Sequence, residues 1–426
     1  MTLSKTAGYQ LGGILLFISI ITSLSSDIVH LSGVYTGVLH VAVIVLGWEI
    51  VPKSLRKLSL LLVLSGMLML YFAKAGLTEY LFSLSKNRSM ISMLAGVGFL
   101  RLIPLPDTVK ENPVGRKAMW QTIFGISWLG AFINMSSIVI FADRMSDKFY
   151  KLKTEQCLVL TRGFITAALW SPFFVAMAVA ISQVKNASVW KLMVFGLPFS
   201  QAILVIAGLY TTYTMRSEID SFEGYPFSVE TLKGPIILIA IVFASHMIWP
   251  NVSVIAFVTV YAMIYALYQT IKEGIASKFI GYVINDLPKM AAEVCLFLAA
   301  GFFGAGISTM VNHGVLPAFP ALSSFGTSVC VLTVVSVTSL LGVHPIVSIS
   351  SVGAMIENSA VSPNLLAMSF LMGWVMVIIN PISGIHLLVS ARYGFDNKNV
   401  WKWNSILAGI YFVLCCLWLY VNKSFM

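Results

Sequence analysis

The sequence predicts an all-helical (all-α), polytopic membrane protein, and three features of its composition support that class. Hydrophobic residues make up 58% of the 426 residues and charged residues only 10%, whereas soluble globular chains carry about 25% charged residues. The mean hydropathy is +0.89. Apolar runs recur from Leu11 to Leu419, and each is about 17 to 25 residues long, enough to cross the bilayer core as a helix. A soluble globular domain and a disordered chain are both excluded.

Charge and cysteine usage narrow the expected partners. The formal net charge is +10, with 27 Lys and Arg against 17 Asp and Glu. In a membrane protein this excess reflects basic cytoplasmic loops, so we expect a lipid bilayer and no nucleic acid as partner. The cysteines lie in apolar segments without paired spacing, which argues against a disulfide framework or a zinc site. They are Cys157, Cys295, Cys330, Cys415 and Cys416.

Hydropathy delimits a series of apolar segments, and no loop between them is long enough for a soluble domain. The segments are Tyr9–Leu24, Val34–Val51, Leu58–Phe72, Leu77–Pro104, Thr122–Phe141, Cys157–Val184, Leu192–Thr211, Gly234–Trp249, Val252–Thr270, Met290–Val311, Leu322–Leu341, Leu365–Ala391 and Ile406–Val421. The first segment lacks a small-residue cleavage site, so we expect it to be a retained span rather than a signal peptide.

The segment Thr122–Phe141 is predicted to be a re-entrant hairpin. Clusters of Lys and Arg precede and follow it, and a single crossing would place one cluster outside, although basic loops belong on the cytoplasmic side. If Trp120–Phe141 enters and returns on the same side, both clusters stay inside. Gly125, Gly130 and the polar stretch Asn134–Ser137 would form its tip, which must be buried in protein or line a cavity.

A second hairpin is predicted over Leu322–Glu357, which is too long for one span and is interrupted at Gly342–Pro345. With both hairpins, twenty of the 27 basic residues fall on the cytoplasmic side, the N-terminus is cytoplasmic and the C-terminus is external. About eleven transmembrane helices and two hairpins then form an inverted repeat, an arrangement typical of transporters. The predicted domains are N-terminal scaffold helices (1–56), a first repeat (57–211), a linker with a connecting helix (212–250) and a second repeat (251–426).

Two apolar segments contain a proline near mid-membrane, in Ser171-Pro172 and in Asn380-Pro381, the latter followed by Ser383. Proline removes a helical donor and clashes with the preceding turn, which frees backbone carbonyls. In the discontinuous helices of transporters such carbonyls bind a cation, while the N-termini of the half-helices face an anionic group. The alternative is a simple kink in each helix, healed by Ser171 or Asn380.

The predicted hairpin tips carry short polar side chains that would lie opposite these breaks. They are Asn134, Ser136 and Ser137 in the first tip, and His344 and Ser348 in the second. The alternative role for each is a hydrogen bond that holds helices together. Asn134 is the strongest candidate, because an unpaired asparagine amide is costlier to bury than a serine hydroxyl.

His344 and His386 are predicted to lie inside the membrane, where ionisable residues are functional candidates by default. A neutral histidine can donate a hydrogen bond to an anion or carry a proton, and the alternative is a satisfied core histidine. Arg162 lies near a cytoplasmic helix end, where a long basic side chain usually extends its charge to the membrane surface. We therefore predict a binding role for the two histidines and none for Arg162.

The sequence contains no paired carboxylates, metal-ligand cluster, nucleophile elbow or phosphate loop. We expect no enzyme activity, no metal site and no cofactor beyond Na⁺ as a coupling ion. An envelope polysaccharide polymerase or ligase is an alternative, but it would need a sizeable external loop with Arg and His. A lipid-linked sugar flippase is another, but it would need a cationic cavity, for which only Lys86, Arg88 and Arg162 are available.

With its paired hairpins and interrupted helices, the chain from Leu58 to Val421 resembles the ion-transporter superfamily. That group includes the divalent-anion:sodium symporters, the arsenical-pump-type permeases and the large membrane subunits of TRAP transporters. The most family-like stretch is Leu341–Val347. In the symporters each tip reads Ser-Asn-Thr and contacts both sodium and the substrate carboxylate. Asn134 and Ser136 match that pattern in residue type, and the second tip, Val343-His344-Pro345, does not match it.

The resemblance implies a secondary active transporter of a small anionic organic solute. It implies coupling to sodium or protons and an elevator-like motion of the hairpins and interrupted helices against a scaffold. The protein would lie in a bacterial-type inner membrane as a multi-pass protein. The resemblance also implies a homodimer and, for the TRAP branch, an accessory subunit.

Overall fold

The computed structural model describes residues 3–29, 32–103, 111–146, 149, 151–317, 319–320, 322–356 and 361–426. These residues are largely helical, with one isolated antiparallel bridge between Val114 and Glu223. Within them, eight helical stretches are long and apolar enough to cross a bilayer, and three shorter apolar helices accompany them. The predicted class, a polytopic helical membrane protein, is confirmed. Two predicted segment ends, Pro104 and Glu357, lie outside the described residues.

The described α-helices largely follow the apolar segments, because backbone in hydrocarbon must satisfy its own hydrogen bonds. In chain order they are α1 (Leu3–Val29), α2 (Val34–Leu46), α3 (Lys53–Phe72), α4 (Leu77–Ser83), α5 (Arg88–Gly98), α6 (Arg116–Ile133), α7 (Met135–Met145), α8 (Thr154–Thr166), α9 (Val175–Gln183), α10 (Val189–Thr214), α11 (Arg216–Ile219), α12 (Lys233–Ile248), α13 (Val254–Lys272), α14 (Ser277–Asn285), α15 (Ala291–Asn312), α16 (Ser324–Leu340), α17 (Pro345–Ile356), α18 (Pro363–Val375), α19 (Gly384–Tyr393) and α20 (Val400–Asn422). Short 3-10 turns lie at Phe99–Leu102, Ala167–Leu169, Val229–Leu232, Leu287–Met290, Met376–Ile379 and Asn397–Asn399.

The chain forms two compact units, and each draws on both predicted repeats. The first unit contains the described residues of 1–104, 240–321 and 349–359. The second contains those of 105–239, 322–348 and 360–426. Helices α12 and α17 contribute residues to both units. The boundaries of the predicted scaffold, linker and repeats stay a prediction.

In the first unit, α3 packs against α15 and α5 packs against α13. Gly66 of α3 allows a close approach, since a β-carbon added there would lie 2.8 Å from a ring carbon of Phe302. Helices α3 and α13 lie at the starts of the two predicted repeats, and α5 and α15 follow them. The same helix pairing therefore occurs twice with the two repeats exchanged, which is the packing that related repeats would give.

The predicted single span Leu77–Pro104 is wrong, because the structure divides its described part into α4 and α5. Polar residues between the two helices have partners within the first unit. The side-chain amide of Asn87 donates to the carbonyl oxygen of Phe297 at 2.9 Å. Arg88 forms an ion pair of 2.9 Å with Asp27 at the end of α1.

In the second unit, α6 and α7 form the first predicted hairpin. Its two ends meet, since the side-chain amide of Asn112 donates to the carbonyl oxygen of Arg144 at 3.1 Å. Tyr225 touches both arms: its ring stacks on Phe141 at 3.8 Å between centroids, and its backbone N–H donates to the Thr122 hydroxyl at 2.8 Å. The predicted reversal of the chain is confirmed, and its orientation in the membrane stays a prediction.

The second hairpin runs from α16 into α17 and turns at Gly342, whose φ of +86° is a left-handed conformation that glycine adopts without strain. The hydroxyls of Thr338 and Ser348 lie 2.7 Å apart across the tip. At the other end of α16, the Ser324 hydroxyl accepts a hydrogen bond of 3.0 Å from the backbone N–H of Ser362. The reversal predicted at this tip is therefore also present.

Two interrupted helices complete the second unit. Helices α8 and α18 are each 13 residues long, and each continues as a 3-10 turn before its proline. The residues Trp170–Phe174 and Asn380–Ser383 are not helical, and the chain becomes helical again in α9 and α19. Both segments are therefore interruptions rather than kinks in continuous helices. Helix α8 packs on α6, and α18 packs on α16, so the same pairing again occurs once in each repeat.

Candidate functional site

The first hairpin tip and the first interruption, both in the second unit, are bound to each other. The Ser171 hydroxyl donates to the carbonyl oxygen of Ala131, in the last turn of α6. The same hydroxyl accepts the backbone N–H of Phe173 at 3.2 Å, and the side-chain amide of Asn134 donates to the Phe173 carbonyl at 3.0 Å. Ser171 therefore satisfies polar backbone groups around Pro172 and holds the tip in place.

Asn134 is the pivot of the first hairpin and leaves one polar atom unused. Its backbone lies at φ +50° and ψ −139°, a conformation that non-glycine residues rarely adopt. Its carbonyl oxygen accepts from the backbone N–H and the hydroxyl of Ser137 at 3.0 Å and 2.7 Å. Its side-chain oxygen Oδ1 is buried and has no hydrogen-bond partner among the described residues. The tip therefore presents an unpaired acceptor, the kind of atom that a cation or a donor group would bind.

The second interruption is organised by Asn380. Its Oδ1 accepts the backbone N–H of Ile382 at 2.9 Å, and its carbonyl oxygen lies 2.9 Å from Nδ1 of His386. Ser383 caps α19, since its hydroxyl accepts the backbone N–H of His386 at 3.4 Å. The carbonyl of Pro381 accepts from the side-chain amide of Asn397 at 3.0 Å. These bonds fix the non-helical residues in one conformation.

The contact with Asn380 determines which nitrogen of neutral His386 carries the proton. The Ser383 hydroxyl also lies 2.9 Å from Nδ1 and can either donate or accept, whereas the carbonyl oxygen can only accept, so the contact with Asn380 favours a proton on Nδ1 and a lone pair on Nε2. Nε2 is buried and has no partner among the described residues. His386 therefore presents a second unpaired acceptor, which could bind a proton or a donor group.

The second hairpin tip lies beside the second interruption. A β-carbon added to Gly342 would lie 2.7 Å from Cδ1 of Ile382. His344 in this tip accepts the backbone N–H of Ile346 on Nδ1 at 3.3 Å, at the start of α17, and its ring lies 5.6 Å from that of Trp374 on α18. His344 thus differs from His386, since its Nδ1 is an acceptor and its Nε2 carries the proton when neutral.

The first tip also reaches the second interruption. A β-carbon added to Gly384, the first residue of α19, would lie 3.9 Å from Cε of Met135. Ser136 follows on α7 and is half-buried. Ser348 pairs with Thr338, which agrees with the alternative role for serine of joining helices. The predicted site residues therefore lie around both interruptions within the second unit, and their role in binding stays a prediction.

Sequence reasoning missed Arg162. Its side chain is 1% exposed, so the expected extension to the membrane surface is wrong. The guanidinium instead donates to neutral oxygens inside the second unit: Asn404 Oδ1 at 2.9 Å, the Thr211 hydroxyl at 2.7 Å and the Trp403 carbonyl at 3.0 Å. These partners come from α10 and α20, far away in sequence, so no local pattern could have shown them.

Among the described residues, no group of three or more His, Cys, Asp or Glu side chains is arranged to hold a metal ion. Oxygen atoms are nevertheless available to a hard cation such as Na⁺. They are Oδ1 of Asn134 and backbone carbonyls of the two interrupted segments, of which those of Phe173, Asn380 and Pro381 already accept hydrogen bonds from side chains. A sodium ion at this site would therefore be held by neutral oxygens.

No protein-family model matches the sequence, and no curated protein matches it. A crystal structure of the YdaH transporter of Alcanivorax borkumensis, described as having an unusual topology, is similar in structure with a TM-score of 0.39. The two sequences are 14% identical, and the similarity covers 99% of this chain and 85% of that chain. Similarity at this level does not establish a common function.

Proposed function

We propose that the protein is a secondary active transporter of a small anionic organic solute, coupled to sodium or protons. One observation carries the proposal: two hairpin tips and two helix interruptions lie together in the second unit, with buried acceptors on Asn134 and His386 left unpaired. Unpaired polar groups in an apolar interior are costly, and these two lie at a hairpin tip and beside a helix interruption, which favours a bound ion or solute there. We further propose that the second unit moves in an elevator-like manner.

The interruptions can serve both an anion and a cation. Helices α9 and α19 begin directly after them, and the N-terminus of a helix carries a partial positive charge that attracts anions. The unpaired oxygen of Asn134 and the freed carbonyls carry partial negative charge, which suits a cation. A solute carboxylate and a coupling ion could therefore bind side by side.

Sodium is the coupling ion that we favour. A proton pathway through a membrane protein usually contains buried carboxylates. Among the described residues of the second unit, Glu155 is a buried carboxylate, but it lies in the first turn of α8, far along the helix from Pro172. Neutral oxygens dominate the site, and they are suitable ligands for Na⁺.

The remaining features of the proposal follow from the charge distribution and the resemblance to the ion-transporter superfamily. We propose a multi-pass protein of the inner membrane with a cytoplasmic N-terminus and an external C-terminus. We also propose a homodimer and, for a TRAP-like arrangement, an accessory subunit. Non-enzymatic action belongs to the same proposal.

The decisive experiment is uptake by the purified protein in proteoliposomes. Labelled mono-, di- and tricarboxylates are offered with an inward sodium gradient, with an inward proton gradient and with neither. We expect accumulation of at least one carboxylate only when an ion gradient is present. Accumulation that ignores both gradients would contradict secondary active transport. Transfer of a lipid-linked sugar between leaflets, or glycan polymerisation, without carboxylate uptake would favour the flippase or the polymerase.

A further inference from the structure

Arg162 carries a positive charge that is buried inside the second unit. Its side chain is 1% exposed, and among the described residues no Asp or Glu forms an ion pair with it. Its partners are neutral oxygens and the ring of Tyr210, whose centroid lies 5.1 Å from the guanidinium carbon. Because burying an unpaired charge is costly, these neutral oxygens and the Tyr210 ring are the groups that stabilise the guanidinium.

One of these partners connects Arg162 to the second interruption. Asn404 on α20 accepts from Nε of Arg162 at 2.9 Å and donates its own amide to the carbonyl oxygen of Ile378 at 3.0 Å. Ile378 lies in the 3-10 turn that ends two residues before Pro381. The carbonyls at the end of a half-helix carry partial negative charge and lack helical partners. The amide of Asn404 satisfies one of them, and the guanidinium polarises that amide.

A second route leads from Arg162 to the same segment. The guanidinium also donates to the carbonyl of Trp403 at 3.0 Å. The ring of Trp403 lies 5.4 Å from that of Phe395, which stacks on His386 at 6.3 Å. The first connection ends at Ile378, before Asn380, and the second ends at His386, after it. Arg162 itself belongs to the first interrupted helix.

We propose that Arg162 is a positioning residue for the second interruption. Its charge, acting through Asn404, holds the Ile378 carbonyl and thereby fixes the conformation of the Asn380–His386 segment. The conformation of one interrupted helix then depends on a residue of the other. The consequence for transport rests on the proposed function, whereas the positioning itself can be measured without transport.

The test is hydrogen exchange, read by mass spectrometry on the full-length protein in lipid nanodiscs. Asn404→Leu keeps the charge of Arg162 but removes the link to Ile378. Arg162→Gln removes the charge and keeps Asn404. Thr211→Val is the matched control, because it removes another acceptor of Arg162 that does not contact the second interruption. Peptides that cover residues 376–387 and 167–175 report on the two interruptions separately.

We expect exchange at residues 376–387 to become about tenfold faster in Asn404→Leu and in Arg162→Gln, and to stay unchanged in Thr211→Val. In Asn404→Leu the peptide 167–175 should exchange as in the unmodified protein. The double variant, Arg162→Gln with Asn404→Leu, should exchange at residues 376–387 no faster than the faster of the two single variants. Both substitutions break the same connection, from Arg162 through Asn404 to Ile378. Additive effects, or equal effects at both interruptions, would overturn the proposal and indicate general loosening.

Arg162→Lys keeps the test informative if Arg162→Gln does not fold. It retains a charge in a shape that cannot serve three acceptors at once, so intermediate exchange at residues 376–387 is expected. Exchange as slow as in the unmodified protein for all Arg162 variants would reject the positioning role. If the unmodified protein accumulates no solute while the variants show this exchange pattern, the proposed transport function is rejected and the positioning role of Arg162 is supported. If the unmodified protein accumulates solute but the variants do not show the pattern, transport is supported and the positioning role is rejected.

Discussion

The hydroxyl of Tyr393 donates a 2.7 Å hydrogen bond to Oδ1 of Asp143. This bond joins the last residue of α19 to α7, near the base of the first hairpin. Arg392 adds an ion pair of 2.9 Å to Oδ2 of the same carboxylate. The interrupted helix and the hairpin are therefore joined at this end, in addition to the close approach of Met135 to Gly384.

The two contacts to Asp143 should differ in strength. The Tyr393 side chain is buried, and Tyr393→Phe removes a hydrogen bond to a charged group, for which we expect a loss of about 1.5 kcal/mol and a melting temperature lower by about 3 °C. Arg392 is about half exposed, so Arg392→Gln should change stability by less than about 0.5 kcal/mol. Thermal unfolding in detergent measures both. Tyr420→Phe, at an exposed tyrosine of α20, is the control, and equal effects of the two tyrosine substitutions would contradict the assignment.

The orientation of the first hairpin predicts a specific pattern of reporter fusions. Fusions after Lys117 and after Lys153 should both report the cytoplasm, because the basic clusters on both sides of the hairpin favour that side. A fusion after Pro317 should report the outside. An external signal after Lys153, combined with a cytoplasmic one after Lys117, would rule out the hairpin as re-entrant and with it the inverted repeat.

Asn134 combines a left-handed backbone conformation with a side chain that we propose binds an ion or solute, and two substitutions test these roles separately. Asn134→Gly relieves the backbone strain at φ +50° but loses the 3.0 Å hydrogen bond to the Phe173 carbonyl, so we expect its melting temperature to stay within a few degrees of that of the unmodified protein. The same variant should lose most of the transport, since it removes the unpaired Oδ1. Asn134→Ala should lose transport and also stability, by about 1 kcal/mol or more. Uptake and melting temperature, measured on the same preparations, distinguish the two effects.

Asn380→Ala should also abolish transport while the protein still inserts and accumulates, because the cap on the Ile382 N–H is lost. Asn380→Asp retains an oxygen acceptor for that N–H and should retain more activity. Ser350→Ala is the control, since this buried hydroxyl of α17 has no hydrogen-bond partner among the described residues. Normal uptake by each of the single variants Asn134→Gly and Asn380→Ala would show that both asparagines only join helices.

The sequence predicted those parts of the second unit that depend on local signals. Basic clusters on both sides of one apolar segment indicated the chain reversal of the first hairpin, and Pro172 and Pro381 indicated the helix interruptions. The division of α4 from α5 was missed, because its polar residues depend on Asp27 and Phe297, which are distant in sequence. Contacts of this kind arise only when the helices pack.

The same reason explains why the sequence assigned Arg162 to the membrane surface. Its partners Thr211 and Asn404 lie on helices 49 and 242 residues further along the chain. By contrast, the bond between Asn380 and His386 spans six residues and could have been considered from the turn alone. Local spacing therefore located the candidate site, and only the three-dimensional structure showed what surrounds it.

The last prediction concerns coupling and His386, because imidazole is the side chain whose ordinary pKa, about 6.5, lies near physiological pH. His386→Gln can still donate a hydrogen bond to the Asn380 carbonyl but cannot titrate. If sodium is the coupling ion, this variant should keep sodium-driven accumulation with a modest loss of affinity. If protons are coupled through Nε2, it should retain solute exchange and lose accumulation driven by a pH gradient.

His313→Gln, at a partly exposed histidine of the first unit, is the matched control and should leave both activities intact. We expect the sodium outcome, since the buried acceptors of the site are neutral, and the measurement is uptake into vesicles with either gradient imposed alone. Accumulation driven by a pH gradient in sodium-free vesicles, abolished in His386→Gln and preserved in His313→Gln, would show instead that the proton is the coupling ion.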